Sequence, residues 1–323
     1  MLVFGADFFV SGASAVAKKL RVPTLFIGLT IVSIGTSLPE LSVGIFGAIR
    51  GVEGLSVGNI IGSNMFNMFV ILPVVALASS VPIAISTKKY DIPFLITSIG
   101  ILTLCCGDVF LNGGEANIIS RTEGIILLFV FVIYMVLLIS NAKKFRTTKT
   151  YVAEQKQPDF IEEEKPVEEL SIVRTILYLV FGLAGVIFGG ECVSSTSQFL
   201  AAQLGMSDTL IGLTVVAVGT SLPELVTSLV AIRKKQNDLA IGNIIGSSIV
   251  NICLIIGIVG TISQIVVDVK MLIDIVILFV YTIVFSIFCL LSNRLKKSHS
   301  IALLVMYALY FAFAIIKNYF LVF

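Results

Sequence analysis

Long apolar runs alternate with short polar connections over almost the whole chain. A helix needs about 20 apolar residues to cross the hydrocarbon core of a bilayer. Spans of a membrane β-barrel would instead show segments of about 10 residues with alternating polarity. The runs here are long and continuously apolar, so they predict ten membrane-spanning helices. The predicted spans are 1–17, 23–49, 55–81, 92–112, 122–141, 172–203, 208–232, 239–265, 271–292 and 300–321.

Composition agrees with this pattern. Hydrophobic residues make up 57% of the chain and charged residues 13%, against about 25% charged residues in an ordinary soluble domain. The expected class is therefore an all-α integral membrane protein that has the lipid bilayer as a partner and does not bind nucleic acid. The five cysteines lie in or beside apolar spans without metal-ligand spacing, and the single histidine, His299, is predicted in a solvated loop. No cofactor is expected, and no protein partner can be inferred.

The basic residues predict the orientation. Of the 22 lysines and arginines, 18 fall in alternate connections, whereas the other connections and the tail hold only Arg50, Arg121, Lys270 and Lys317. Cytoplasmic loops carry the excess of positive charge. We therefore expect a multi-pass protein of the cell membrane with both termini outside. The one long polar segment, 142–171, is expected to be a cytoplasmic linker.

The chain contains an internal repeat. Residues 28–42, GLTIVSIGTSLPELS, return as 212–226, GLTVVAVGTSLPELV, with 11 of 15 positions identical, and VGNIIGSNMFN at 57–67 returns as IGNIIGSSIVN at 241–251 with 7 of 11 identical. Both pairs are separated by 184 positions, as Glu40 is from Glu224. The same separation relates Asp7 to Glu191.

Each predicted half carries five spans, an odd number, so the second half must enter the membrane from the opposite side. The expected organisation is repeat 1 at 1–141, the linker at 142–171, and repeat 2 at 172–323, with the first span shorter than the sixth. Inverted repeats of this kind are typical of secondary transporters, whose binding sites form near the midplane where interrupted helices meet.

The polar residues inside the spans indicate chemistry. On a helix, Thr36, Ser37 and Glu40 share one face, and Pro39 cannot donate to the carbonyl of Gly35. The result is a kinked helix that presents a carboxylate, two hydroxyls and free backbone oxygens. The second repeat carries the same arrangement in Thr220, Ser221, Pro223 and Glu224.

The second motif adds a hydroxyl and an amide four residues apart in each repeat: Ser63 with Asn67, and Ser247 with Asn251. Such a cluster contains oxygen without sulfur or imidazole, which suits hard cations; Ca2+ takes about 6–8 oxygen ligands. Each glutamate at the bilayer centre would cost at least about 2.5 kcal/mol unless it is neutralised. Glu40 and Glu224 are therefore predicted ion ligands. Asp7 and Glu191 are weaker candidates, which could line an access path or lie near an interface.

The chain resembles the calcium/cation antiporter superfamily, and more closely its prokaryotic sodium/calcium exchanger branch. The motifs that carry this resemblance are GTSLPEL in both repeats and GNIIGS followed by an asparagine. The resemblance implies exchange of Ca2+ for Na+ by alternating access, in which spans 1 and 6 slide across the remaining bundle. It also implies a Ca2+ site formed by Glu40 and Glu224 with backbone oxygens near Thr36 and Thr220, and asparagines 67 and 251 at the centre. The implied Na+ ligands are Ser37, Ser63, Ser221, Ser247 and the carbonyls of Ser33 and Ala217.

Two departures bear on the counter-ion. Potassium-dependent relatives characteristically carry an aspartate where this chain has Asn251, and proton-coupled relatives carry a glutamate in the second motif that GNIIGSN lacks. Both favour Na+. Alternatives are a proton-coupled Ca2+ exchanger, because carboxylates can also carry protons, and a passive cation channel. A membrane hydrolase has no support, since no serine has a visible base partner.

Overall fold

The fold is almost entirely helical, as a computed structural model of the chain shows. The structure describes residues 1–51, 53–79, 81–107, 109, 116–147, 170–203 and 216–320. Most of the predicted linker, and the beginning of the predicted span 208–232, lie outside the described residues. Six of the described helices are long and apolar enough to cross a membrane, and a bent pair, Thr24–Thr36 with Leu38–Arg50, makes a seventh. The predicted all-α membrane fold is confirmed.

The first half begins with one continuous helix and goes on through shorter helical pieces. Its α-helices are α1 (Leu2–Leu20), α2 (Thr24–Ile27), α3 (Ser33–Thr36), α4 (Leu38–Arg50), α5 (Glu53–Phe66), α6 (Leu72–Ala78), α7 (Ile92–Cys105) and α8 (Arg121–Thr147).

The second half repeats this order. Its α-helices are α9 (Ile172–Gln203), α10 (Ala217–Thr220), α11 (Leu222–Arg233), α12 (Asn237–Ile249), α13 (Gly257–Ile262), α14 (Val269–Leu291) and α15 (Lys297–Phe320). The described helices are consistent with the predicted ten spans, and the count of ten stays a prediction.

Wider π-helical turns interrupt several spans. They occupy Gly28–Val32 between α2 and α3, Asn67–Ile71 between α5 and α6, and Val250–Ile256 between α12 and α13. A fourth, Thr87–Asp91, precedes α7. A π turn inserts one extra residue into the helical register and is frequent at functional sites. The turns at Asn67–Ile71 and Val250–Ile256 begin at, or one residue before, the repeated asparagines of the second motif.

Four very short strands pair the connections at the helix ends. β1 (Val81–Pro82) pairs antiparallel with β4 (Arg294–Leu295), and β2 (Asn117–Ile119) pairs with β3 (Ile265–Val267). Each pair joins the two halves of the chain. The apolar pattern did not predict these strands, because two or three residues are too few to show a period.

Helices α1 and α9, the first of each half, pack closely along one another. A Cβ atom placed on Gly5 would lie 2.7 Å from the backbone of Gly185, and one on Gly182 would lie 2.5 Å from the backbone nitrogen of Phe9. The absence of side chains at these glycines therefore permits the close backbone approach. The two helices form a pair that joins the repeats.

Two residues, His299 and Lys317, have different surroundings from those that the sequence predicts. His299 lies in the first turns of α15, with its ring stacked 4.7 Å from that of Phe288, rather than in a solvated loop. Lys317 is 1% exposed, pairs with Asp274 of α14, and donates to the carbonyl of Lys270. An ammonium in an apolar helix needs such partners, so Lys317 ties the last two helices together.

Helix α8 ends at Thr147 and α9 begins at Ile172. The division into repeat 1 at 1–141, a linker at 142–171 and repeat 2 at 172–323 stays a prediction.

Candidate ion-binding site

The two glutamates sit at matched breaks in the second span of each half. The break between α3 and α4 falls at Ser37, and the helix pair is bent by 46°. Proline follows in the first turn of α4 and of α11, where it starts a new helix without donating a hydrogen bond to the preceding one. Glu40 and Glu224 therefore lie in the first turn of their helices, where the helix dipole favours a negative charge. Both glutamates are 0% exposed.

Glu224 is bound mainly by the other repeat's first motif. Its Oε1 accepts hydrogen bonds from Ser37 Oγ at 3.0 Å and from Ser247 Oγ at 3.4 Å. Ser247 also lies 3.4 Å from Thr36 Oγ1 and 3.5 Å from the carbonyl of Ser33. These contacts bring residues from α3, α11 and α12 into one cluster.

Glu40 has a related but smaller set of contacts. Its Oε1 accepts from Ser63 Oγ at 3.3 Å, and Ser63 lies 3.4 Å from Thr220 Oγ1. The side chain of Ser221, the counterpart of Ser37, is fully buried, and its Oγ has no hydrogen-bond partner among the described residues. The repeats thus build one joint site whose two halves are not equivalent.

Several oxygens in this cluster lack protein partners. Within the described part of the chain, Glu40 Oε2, Glu224 Oε2, Ser221 Oγ and Asn251 Oδ1 are buried without a hydrogen bond, and so are both polar atoms of Asn67. Native proteins rarely leave buried polar atoms unpaired, and each such atom costs about 1–3 kcal/mol. Carboxylate, hydroxyl and amide oxygens are the ligands of Na+ and Ca2+. A bound cation would satisfy these atoms, and so this oxygen set fits the ions expected from the sequence.

The structure places the remaining predicted residues around this cluster. The carbonyl of Ser33 accepts a backbone hydrogen bond from Ser37 at 3.1 Å. Ala217 is the first residue of α10, just before the break of the second repeat. Asn251 Nδ2 donates to Asn64 Oδ1 at 3.1 Å, and Asn64 Nδ2 donates to the carbonyl of Ser248 at 3.3 Å. An asparagine pair therefore crosses between the repeats.

Sequence reasoning missed two further asparagines, Asn59 and Asn243, which are also separated by 184 positions. Thr36 Oγ1 donates to Asn243 Oδ1 at 3.0 Å, and Thr220 Oγ1 donates to Asn59 Oδ1 at 3.2 Å. Each asparagine thus fixes the threonine of the opposite repeat. The signal that could have found them is their place in the repeated GNIIGS motif, since each is the only residue there with an amide.

The fold and the sequence have clear relatives. The family model for the sodium/calcium exchanger protein matches residues 1–140 and 174–316. The chain belongs to the sodium/calcium exchanger family. The sodium/calcium exchanger MaX1 of Methanosarcina acetivorans is 31% identical over 98% of this chain and 95% of its own length. The inner membrane protein YrbG of Escherichia coli is 32% identical over 81% of this chain and 77% of its own length.

Among solved structures, the chain resembles the sodium-calcium exchanger NCX_Mj soaked with 2.5 mM Na+ and 0.1 mM Ca2+. The TM-score is 0.78 at 27% identity, covering 96% of this chain and 94% of that one. The resemblance inferred from the sequence motifs is therefore confirmed. This family is one of membrane exchangers rather than of enzymes.

Proposed function

We propose that this exchanger moves Ca2+ across the cell membrane in exchange for Na+, by alternating access to the site between α3–α4 and α10–α11. The single observation that carries the proposal is the pair of fully buried glutamates, Glu40 and Glu224, each with one unpaired oxygen. Two buried carboxylates repel one another and need positive charge nearby. One Ca2+ or more than one Na+ would supply it.

The coupling follows from shared ligands. The carboxylates bind Ca2+ in one half of the cycle and Na+ in the other, because two negative charges cannot neutralise Ca2+ and the Na+ ions at the same time. The hydroxyls that reach them, Ser37, Ser63 and Ser247, provide the neutral oxygens that Na+ sites need. Occupancy by one ion or the other makes the exchange obligatory. The second motif lacks a further carboxylate, which favours Na+ over protons as the counter-ion.

The proposed orientation has both termini outside and the 142–171 linker in the cytoplasm. Support comes from the basic residues, since the connection at 233–235 carries three of them and the connection around Arg50 only one. Under this orientation α11 ends at the cytoplasmic face and α4 at the outer face. The assigned site residues are those predicted above, with Asn59 and Asn243 as positioning residues.

The test is 45Ca2+ uptake into proteoliposomes that are loaded with Na+ and diluted into Na+-free buffer. Wild type is compared with Glu40→Gln and Glu224→Gln, which remove the charge and keep the shape. Glu123→Gln is the matched control. It makes the same chemical change at a helix cap, where Glu123 accepts from Ser120 and glutamine is also a good partner.

We expect uptake that requires internal Na+ in wild type and Glu123→Gln, and loss of at least about tenfold in both site variants. Uptake driven equally well by a pH gradient without Na+ would favour the proton-coupled alternative. Uptake that proceeds without any counter-ion would indicate a channel and overturn the antiport proposal.

A further inference from the structure

A second polar cluster lies away from the ion site and fastens α1 to the end of α11. Lys234 Nζ lies 2.9 Å from Asp7 Oδ2, and Arg233 Nη2 lies 3.5 Å from Asp7 Oδ1. The same Lys234 Nζ donates to the carbonyl of Asp7 at 2.9 Å and to Ser11 Oγ at 2.6 Å. An ammonium has three N–H donors, and here each has an acceptor on α1.

The internal repeat contains this cluster twice. Over the separation of 184 positions, Asp7 corresponds to Glu191, Ser11 to Ser195, and Lys234 to Arg50. The carboxylate, the hydroxyl and the basic group are therefore all kept in chemical type. The second set consists of an acidic residue and a serine on α9, together with a basic residue at the end of α4.

The two sets differ in the structure. Glu191 accepts a hydrogen bond from Ser195 on its own helix at 3.0 Å, and within the described residues it forms no ion pair with Arg50, which is exposed. Helix α1 packs along α11, whereas the corresponding packing of α9 on α4 is almost absent among the described residues. One cluster is thus assembled while its counterpart is open.

We propose that Asp7–Lys234 and Glu191–Arg50 are alternative ion pairs, of which one forms in each facing state of the exchanger. This inference rests on the proposed function, because it needs two facing states. In an inverted repeat the second state arises when the two halves exchange their conformations. Helices α1 and α9 are tightly packed on one another, so a shift of this pair away from α11 carries α9 toward α4.

The two ion pairs lie at opposite faces of the membrane. Under the proposed orientation, Lys234 marks the cytoplasmic end of α11 and Arg50 the outer end of α4. The structure, with Asp7–Lys234 formed, is then the state closed toward the cytoplasm. Because one ion pair replaces a similar one, the two states stay close in free energy, as a cycling transporter needs.

The test captures each pair by zero-length cross-linking of the purified full chain with a carbodiimide, which joins a carboxylate to a contacting amine. The variant Arg50→Lys makes the second pair chemically detectable, since it turns Glu191–Arg50 into a carboxylate–amine pair. Cross-linked peptides joining positions 7 and 234, and positions 191 and 50, are quantified by mass spectrometry. Na+ and Ca2+ are varied at constant ionic strength.

We expect the two yields to change in opposite directions as the ions are varied. In the Arg50→Lys background, Lys234→Met removes the first pair and should raise the 191–50 yield about two- to fivefold, the range that a partly exposed ion pair can give. Lys19→Met is the matched control, because it removes an exposed lysine near the end of α1 and should leave the yields unchanged. If the Lys234→Met protein is not monodisperse, the double variant Asp7→Lys with Lys234→Asp, which swaps the two charges, is used in its place. The swap restores the pair and should return the 7–234 cross-link.

A 7–234 cross-link that stays constant under all ion conditions, with no 191–50 product, would overturn the proposal and make the cluster a static contact. Both cross-links in the same molecule would overturn it as well. A different result would overturn the proposed function, namely the absence of Na+-dependent Ca2+ uptake by proteoliposomes that contain the wild-type protein. The cross-linking experiment is done in detergent and does not depend on that uptake.

Discussion

At the scale of single residues, Ser37 and Ser221 occupy equivalent positions but make different contacts. Ser37 donates to Glu224, whereas Ser221 is buried without a partner in the described part of the chain. A hydrogen bond to a charged group contributes about 1.5–3 kcal/mol, while an unpaired buried hydroxyl contributes nothing favourable. Equivalent positions in the sequence therefore have different roles in this state of the protein.

We predict that Ser37→Ala lowers the melting temperature of the ion-free protein and that Ser221→Ala leaves it unchanged or raises it slightly. Both variants should lose part of the stabilisation that Na+ adds, because the stability that a ligand of the native state adds rises with the logarithm of its affinity. The measurement is thermal unfolding with and without Na+. If Ser221→Ala kept the full Na+-induced rise, Ser221 would not be an ion ligand.

The sequence allowed the glutamates and serines of the site to be predicted because each interrupts an apolar span and recurs 184 positions later. Helical spacing shows which residues share a face of one helix. It does not show which residues meet across two repeats, and so the pairing of Thr36 with Asn243 was not predicted. The inequality of Ser37 and Ser221 was also beyond prediction, because a repeated sequence carries no information on which half adopts which conformation.

At the scale of elements, the break between α3 and α4 depends on Pro39. Alanine at this position would supply the N–H that proline lacks, and this N–H could bond to the carbonyl of Gly35 four residues earlier. The helix would straighten from its 46° bend, and the backbone oxygens near Thr36 would return to the helix. The break therefore matters for binding more than for folding.

We predict that Pro39→Ala yields a folded protein whose Ca2+ affinity falls about tenfold or more, equivalent to about 1.4 kcal/mol. The matched control is Pro93→Ala, which makes the same change in the first turn of α7, outside the ion cluster. The measurement is calorimetric Ca2+ titration of the two purified variants. Equal affinities would show that the break does not supply ligands.

The π turns and the short strands could not be read from the sequence. The apolar period identified the spans, but one extra residue at Asn67 or near Asn251 changes that period too little to detect. Lys317 was likewise placed in the tail because its partner, Asp274, lies on another helix. What the pattern predicted well is the all-helical membrane fold, since the length of the apolar runs matches the thickness of a bilayer.

At the scale of the whole molecule, the two halves have matching elements in different arrangements. Helix α1 packs on α11, and the equivalent packing of α9 on α4 is nearly missing from the described residues. Serine contacts at the glutamates show the same asymmetry, since Glu224 receives two hydroxyls at Oε1 and Glu40 one. The two halves are therefore asymmetric both at the ion site and at the helix ends.

Transport of ions through such a site has an electrical consequence. The two carboxylates, Glu40 and Glu224, have the same charge whether Ca2+ or Na+ is bound. The net charge that crosses the membrane in one cycle is therefore the difference between the charges of the exchanged ions. If three Na+ are exchanged for each Ca2+, one net charge moves per cycle. The work is about 2.3 kcal/mol per 100 mV.

We predict that a 100 mV membrane potential shifts the equilibrium Ca2+ gradient of Na+-containing proteoliposomes by about 50-fold, which is 2.3 kcal/mol expressed as a ratio. The potential is set with K+ and valinomycin, and 45Ca2+ is measured at steady state. Liposomes that contain Glu40→Gln protein control for leakage, since they should accumulate no Ca2+ at any potential. A gradient independent of potential would instead mean two Na+ per Ca2+. The cycle would then move no net charge, and exchange of three Na+ for one Ca2+ would be ruled out.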